Sequence, residues 1–223
     1  MATWLAHLRV ADMIQQAFPG LSRVDFIAGN IAPDCGLPVP GGFDPPKEVT
    51  HWTESGKGHC DYGRFYSEMI AQKPGDGNPA KPLDERTRSF LLGYCAHLAA
   101  DVLWVRLINE PCKQRNIGLY TSDRSQYYRL VKPEWYANDH IYLRDNPDDP
   151  GFRTLCGITD YPVDCIPYYG VDYVERQIHH IKRFYLEPPE YSTEFRFLTP
   201  QMMQDWVDTA AQEVVVILNG FPK

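Results

Sequence analysis

The 223-residue chain has no CxxC pair. Its six cysteines (Cys35, Cys60, Cys95, Cys112, Cys156 and Cys165) are scattered, which argues against a zinc ribbon or a dithiol redox motif and leaves mostly free thiols. Positive charge is not in excess either. A formal net charge of −7 gives no basic footprint for duplex nucleic acid or for an anionic bilayer. No apolar run approaches the ~20 residues that a spanning helix needs, so no stable membrane anchor is expected. The N-terminal MATWLAHLRVADMIQQ lacks the charged start, the apolar stretch and the small-residue cleavage site of a secretory signal, so the expected compartment is the cytoplasm. Alternating polar and apolar stretches are scarce, and neither an internal repeat nor a low-complexity tract is present.

What the chain does have is helical periodicity. With 43% hydrophobic residues it can bury one sizeable core, and we read residues 1–223 as a single domain. His7, Ala11, Ile14 and Phe18 form an inward stripe that Pro19-Gly20 ends. A second helix is expected at 61–72. Asp84 can cap a long helix whose one face carries Phe90, Tyr94, His97, Asp101 and Trp104, with Pro111 as its boundary. A helical stretch at about 121–145 should break at Pro133, and 150–168 reads as loop. Val174, Ile178, Ile181 and Tyr185 mark a helix at 170–186. Thr199, Pro200, the row Met203, Val207, Ala210, Val214, Leu218 and then Asn219-Gly220 spell out a last one. The expected class is all-α, a multi-helix domain with a long irregular loop at about 28–60.

That loop is rich in proline and glycine and lacks a helical period. Irregular segments this long inside a domain are usually functional or disordered, and Phe26, Ile27, Ile31 and Trp52 anchor this one. On the long helix, His97 and Asp101 lie four apart and so share a face. Alone, an HxxxD is more often a core histidine held by a carboxylate than a ligand pair. Three further residues change the balance: His7 on the inward stripe of the first helix, Asp34 after "GNIAP", and His51 in "VTHW". Three imidazoles and two carboxylates are a donor set suited to zinc or another first-row dication.

In this order, "AHLRVADMI", "FIAGNIAPD", "THW" and "FLLGYCAHLAADVLW" resemble the zinc-dependent phospholipase C family, itself related to the S1/P1-type nucleases. The resemblance covers the first half of the chain well and the second half only as helical background. It implies an all-α fold and a cluster of one to three zinc ions that cleaves phosphodiesters. It further implies that Asp34, His51, His97 and Asp101 bind one metal, that Asp101 bridges to a second held also by His7, and that Asp34 orients or deprotonates the attacking water.

Two departures stand out. Secreted members use an N-terminal tryptophan as a ligand, whereas here the tryptophan is Trp4, inside the chain. The family's HxxxD is followed within about two turns by another histidine, whereas this chain reads "DVLWVRLINEP". Asp139 or His140, in "WYANDHIYLRD", is the expected substitute; being adjacent on a helix, they point about 100° apart, so one of the two is expected to serve. His179 and His180 flank an apolar row and read as solvated. The functional expectation is a metal-dependent hydrolase that cleaves phosphodiesters with metal-activated water, its substrate a phospholipid headgroup or a small soluble phosphoester. The competing expectation is an inactive protein with a structural zinc.

Overall fold

The computed structural model of the chain describes residues 1–53, 60–71 and 83–221. Helix α1 (Trp4–Ala17) starts at Thr3, whose hydroxyl accepts from the Ala6 amide, and stops at Phe18, ahead of Pro19-Gly20. His7, Ala11 and Ile14 are buried, as their spacing predicts. Helix α2 (Arg23–Ile31) tightens into a 3₁₀ turn, Ala32–Asp34. An antiparallel hairpin follows, β1 (Leu37–Val39) with β2 (Gly42–Asp44), pairing Leu37 with Asp44 and Val39 with Gly42. Gly41, at φ 88°, supplies the left-handed residue its turn requires. Next comes the short α3 (Lys47–Thr50). Region 28–60 is therefore more regular than its composition suggests, although its residues 54–59 lie outside the described ones.

Helix α4 (Tyr62–Phe65) and a π turn, Tyr66–Ile70, fill most of the expected second helix. Helix α5 (Glu85–Trp104) opens at Asp84, which accepts from the Thr87 amide. It then runs through a π turn, Val105–Asn109, into α6 (Glu110–Arg115), so Pro111 does not bound it. Pro111 sits in the first turn of α6, where a missing N–H does little harm, and the wider turn before it absorbs the step. The whole stretch Glu85–Arg115 is long and apolar enough to cross a membrane by length and composition, and 78% of its apolar window is buried within the protein. That burial marks a core helix.

Two other expectations are corrected. After α7 (Ile117–Ser122), α8 (Arg124–Asp145) passes unbroken through Pro133. Pro133 and Arg129 are both exposed, so the carbonyl that Pro133 leaves unpaired is open to water. The segment 150–168 is not all loop: α9 (Pro150–Gly157) begins at Asp149, whose carboxylate accepts from the Phe152 amide, with Pro150 in its first turn. Helices α10 (Tyr173–Leu186) and α11 (Pro200–Gly220) bury the rows expected of them. The hairpin's three-residue strands are the only strands among the described residues, and the buried side chains form one continuous core, so the class is all-α.

The crossing of α2 over α5 positions the centre described below. A Cβ on Gly29 would lie 1.9 Å from the Phe90 carbonyl oxygen, and one on Gly93 would lie 2.1 Å from that of Phe26. Only glycine permits backbones to pass this closely. The approach sets the C-terminal end of α2, with its unpaired carbonyls, directly against the middle of α5.

Candidate metal centre

Four segments deliver five side chains to one buried place. Helix α1 brings His7, the 3₁₀ turn brings Asp34, the end of α3 brings His51, and α5 brings His97 and Asp101. All but Asp34 are at most 2% exposed, and the Asp34 side chain is 7% exposed. Asp101 faces both ways. Its Oδ1 is 3.2 Å from His7 Nε2 and accepts from the Ala2 amide at 2.9 Å. Its Oδ2 is 3.7 Å from His51 Nε2 and 3.6 Å from His97 Nε2. His51 Nε2 is also 3.6 Å from Asp34 Oδ1. The rings of His7 and His97 stack, with centroids 3.7 Å apart.

These spacings can be compared with a coordination shell. Zinc–ligand distances of about 2.0–2.1 Å in a tetrahedron put neighbouring donor atoms roughly 3.3–3.4 Å apart. The contacts of His51 with Asp34 and of His51 and His97 with Asp101, at 3.6–3.7 Å, are a little longer than that value, and two groups able to hold an ion emerge, His7/His97/Asp101 and Asp34/His51/His97.

The imidazole tautomers fit the same purpose. His97 Nδ1 donates to the Asn30 carbonyl at 2.7 Å, one of the carbonyls freed at the end of α2. His51 Nδ1 is 2.9 Å from the Thr50 hydroxyl. Each ring is thus turned so that Nε2 faces its carboxylates, and His51 Nε2, His97 Nε2 and Asp101 Oδ2 are buried without a hydrogen-bond partner. Buried polar atoms left this way are costly unless something fills the space between them. A dication supplies what they lack, so the residues fit zinc.

Electrostatics agrees with that fit. Burial, with the neighbouring His97 adding to it, lowers the His7 pKa to about 4. Burial likewise lowers His51 to about 4. Both rings are then neutral at pH 7 and available as ligands. Burial would raise the Asp34 carboxyl, but the Lys47 ammonium, with His51 and His97, holds it below the usual carboxylate range. Burial would also raise Asp101, and the Met1 amine together with the hydrogen bond from His7 and the nearness of His97 more than offsets it. Two ionised carboxylates in a dry core require positive charge nearby.

The backbone at His51 is held under strain. Trp52, next in sequence, has φ 53°, rare for a bulky residue. A relay of hydrogen bonds fixes it: the Trp52 indole donates to the Tyr168 hydroxyl, that hydroxyl meets Tyr94 at 2.9 Å, and Tyr94 donates to the Thr50 carbonyl.

Asp139 and His140 are not brought to this cluster. Asp139 is fully buried and accepts from the Thr3 hydroxyl at 2.9 Å and from the Tyr185 hydroxyl at 2.6 Å. His140 stacks on Tyr191 and packs against Phe184. His179 and His180 are exposed, as the apolar row beside them implies. Trp4 packs edge-on against His180 and Phe184. Sequence reasoning passed over Asn30, Thr50 and Lys47. Thr50 adjoins His51 in sequence, and Lys47 precedes it by four, the spacing that shares a helical face; Lys47 Nζ donates to Asp34 Oδ1 at 3.1 Å. Nothing in the sequence flags the Asn30 carbonyl.

A cleft of about 860 Å³ opens beside the cluster, with Asp34 and Lys47 in its wall together with Ala2, Thr3 and Trp4. The fold and the buried donor set define an all-α protein built around a histidine- and aspartate-lined zinc centre. The family model for zinc-dependent phospholipase C matches residues 5–132, and the chain belongs to that family. The matched span includes His7, Asp34, His51, His97 and Asp101. No curated protein and no solved structure matches the chain.

Proposed function

We propose that the protein is a zinc-dependent phosphodiester hydrolase, with Asp34, His51, His97 and Asp101 holding one ion and His7 together with Asp101 Oδ1 offering a second, less complete position. The observation that carries this reading is the set of buried, unpartnered donor atoms, His51 Nε2, His97 Nε2 and Asp101 Oδ2, facing one another beside a cleft. Zinc there would polarise a phosphoryl oxygen and render water nucleophilic near neutral pH. The protein's own groups do the rest. Asp34, kept ionised by Lys47, stands in the cleft wall where it can accept a hydrogen bond from a water molecule and orient it. Lys47, in the same wall, is placed to hold a phosphoryl oxygen. Asn30 and Thr50 fix the rings, so that little reorganisation accompanies the reaction.

A second reading has its own support. Asp34, His51 and His97 form one donor group and Asp101 Oδ2 lies 3.6–3.7 Å from both of its rings, so protein donors alone come near to closing a shell, and closed shells are typical of structural zinc. One experiment separates the two: remove the metal, refill with zinc, count ions per chain by elemental analysis, and assay a nitrophenyl phosphodiester. Turnover that depends on added zinc supports the hydrolase. A single tightly held ion with no turnover supports the structural site.

A further inference from the structure

The cleft beside the centre has a charge opposite to that of the whole chain. Among the described residues, its charged side chains are the cations Lys47, Lys132 and Arg176 and the carboxylate Asp34. Lys47 is engaged with Asp34, and Arg176 is paired with Asp172 at 2.7 Å. Lys132 is exposed and has no carboxylate partner among the described residues. It also borders a second hollow of about 540 Å³, lined by Ser125, Tyr128, Arg129, Lys132, Pro133 and Tyr136. Lys132, Tyr128 and Tyr136 line both spaces, which therefore meet along one face of α8.

The sequence around that face is locally basic. Residues 110–134 contain Lys113, Arg115, Arg124, Arg129 and Lys132 against Glu110, Asp123 and Glu134, with Lys113 paired to Glu110, in a chain whose formal net charge is −7. Aromatic rings are interleaved with these cations: Lys132 Nζ lies 6.0 Å from the centroid of Tyr128, and Trp135 and Tyr136 line the same cleft as Asp34. Aromatic walls of this kind can also pack against an ammonium, so the preference for a second anion rests on the cations that outnumber carboxylates among the described residues of the cleft. A cleft of this volume also holds far more than one phosphodiester group.

We propose that the cleft takes phosphodiesters that carry a second anionic group, which Lys132 binds while an apolar or aromatic body lies along Tyr128, Trp135 and Tyr136. This rests on the reading of the cluster as a phosphoester-cleaving centre. Lys132 is a specificity-determining residue here and takes no part in bond cleavage.

The test uses the zinc-loaded protein and two readouts. Binding of thymidine bisphosphate and of thymidine monophosphate is measured by calorimetry. Hydrolysis is followed on nitrophenyl esters of thymidine phosphate with and without a second phosphate on the sugar, and on nitrophenyl phosphorylcholine. The member of each pair that carries the second phosphate should be favoured by roughly tenfold, as expected for one added ion pair in a partly desolvated cleft, and the preference should shrink as salt is added. Lys132→Gln should abolish the preference while leaving turnover of the singly charged ester intact, and Lys132→Arg should restore it. Equal binding of the two nucleotides, a preference that survives Lys132→Gln, or faster cleavage of the phosphorylcholine ester overturns the proposal. If the binding preference is present but no ester is cleaved, the hydrolase reading fails and the anion site stands. If esters are cleaved without preference, the reverse holds.

Discussion

Replacing Asp139 by asparagine separates a structural acid from a metal ligand. Burial raises the Asp139 carboxyl to about 7, against the opposing hydrogen bonds from Tyr185 and Thr3 and the charge of Arg9. In the unfolded chain the same group titrates near its ordinary value of 3.8. Between those two values the unfolded state releases a proton that the folded state keeps, so stability falls as pH rises through this window. A difference of about 3 pH units corresponds to roughly 4 kcal/mol, of which about 3 kcal/mol is lost between about pH 5 and pH 8. Asparagine occupies nearly the same volume, and its amide can meet the Thr3 and Tyr185 hydroxyls, which can each donate or accept. The variant should therefore lose this pH dependence and become more stable than the parent at pH 8. Urea unfolding of metal-free protein across that range measures the difference, and elemental analysis of refilled protein measures zinc. Identical pH dependence in parent and variant would refute the linkage argument. Loss of zinc in the variant would show instead that Asp139 reaches the metal.

Three further outcomes test the centre and its frame. His97→Ala and Asp101→Ala should each lower zinc affinity by more than about 100-fold and abolish hydrolysis, since each removes a donor from the shell itself; unchanged zinc content in both would remove the basis of the cluster. Thr50→Val keeps the buried volume but takes away the hydroxyl at His51 Nδ1, so zinc affinity, read by competition with a chromophoric chelator, should fall about 10- to 100-fold with the fold intact. Gly93→Ala would force a methyl to within 2.1 Å of the Phe26 carbonyl oxygen. The resulting separation of α2 and α5 should cost at least about 1–3 kcal/mol, seen as a lower thermal midpoint, and an unchanged midpoint would mean that the crossing is not tight.

How much of this could be read from the sequence depends on the range over which each feature is determined. His97 and Asp101 share a face because a helix repeats every 3.6 residues, and the inward stripe on α1 places His7 by the same rule, so local pattern suffices for both. The helices at 150–157 and through Pro133 were harder. In the first, Asp149-Pro150 is a start signal masked by nearby glycine and cysteine. In the second, a proline on an exposed face leaves its orphan carbonyl to water, and the packing of Tyr127, Val131 and Trp135 outweighs the local penalty. Asp34 and His51 were legible as residue types in an irregular tract, but not the 3₁₀ turn and the four-residue helix that aim them. The alternatives at Asp139 and His140 could not be resolved locally at all, because what settles their surroundings is Thr3 and Tyr185, 136 and 46 residues away in the chain. The Asn30 carbonyl is the extreme case. It has no side-chain signature, and it reaches His97 only because Gly29 and Gly93 let two backbones touch. Each of these glycines lies within a few residues of a metal donor in sequence, Gly29 in "FIAGNIAPD" with Asp34 and Gly93 in "FLLGYCAHLAAD" with His97 and Asp101. Read as backbone requirements, they say that the metal ligands and the helix crossing that orients them belong to one constraint, and that changing either glycine should disturb the centre as surely as changing a ligand.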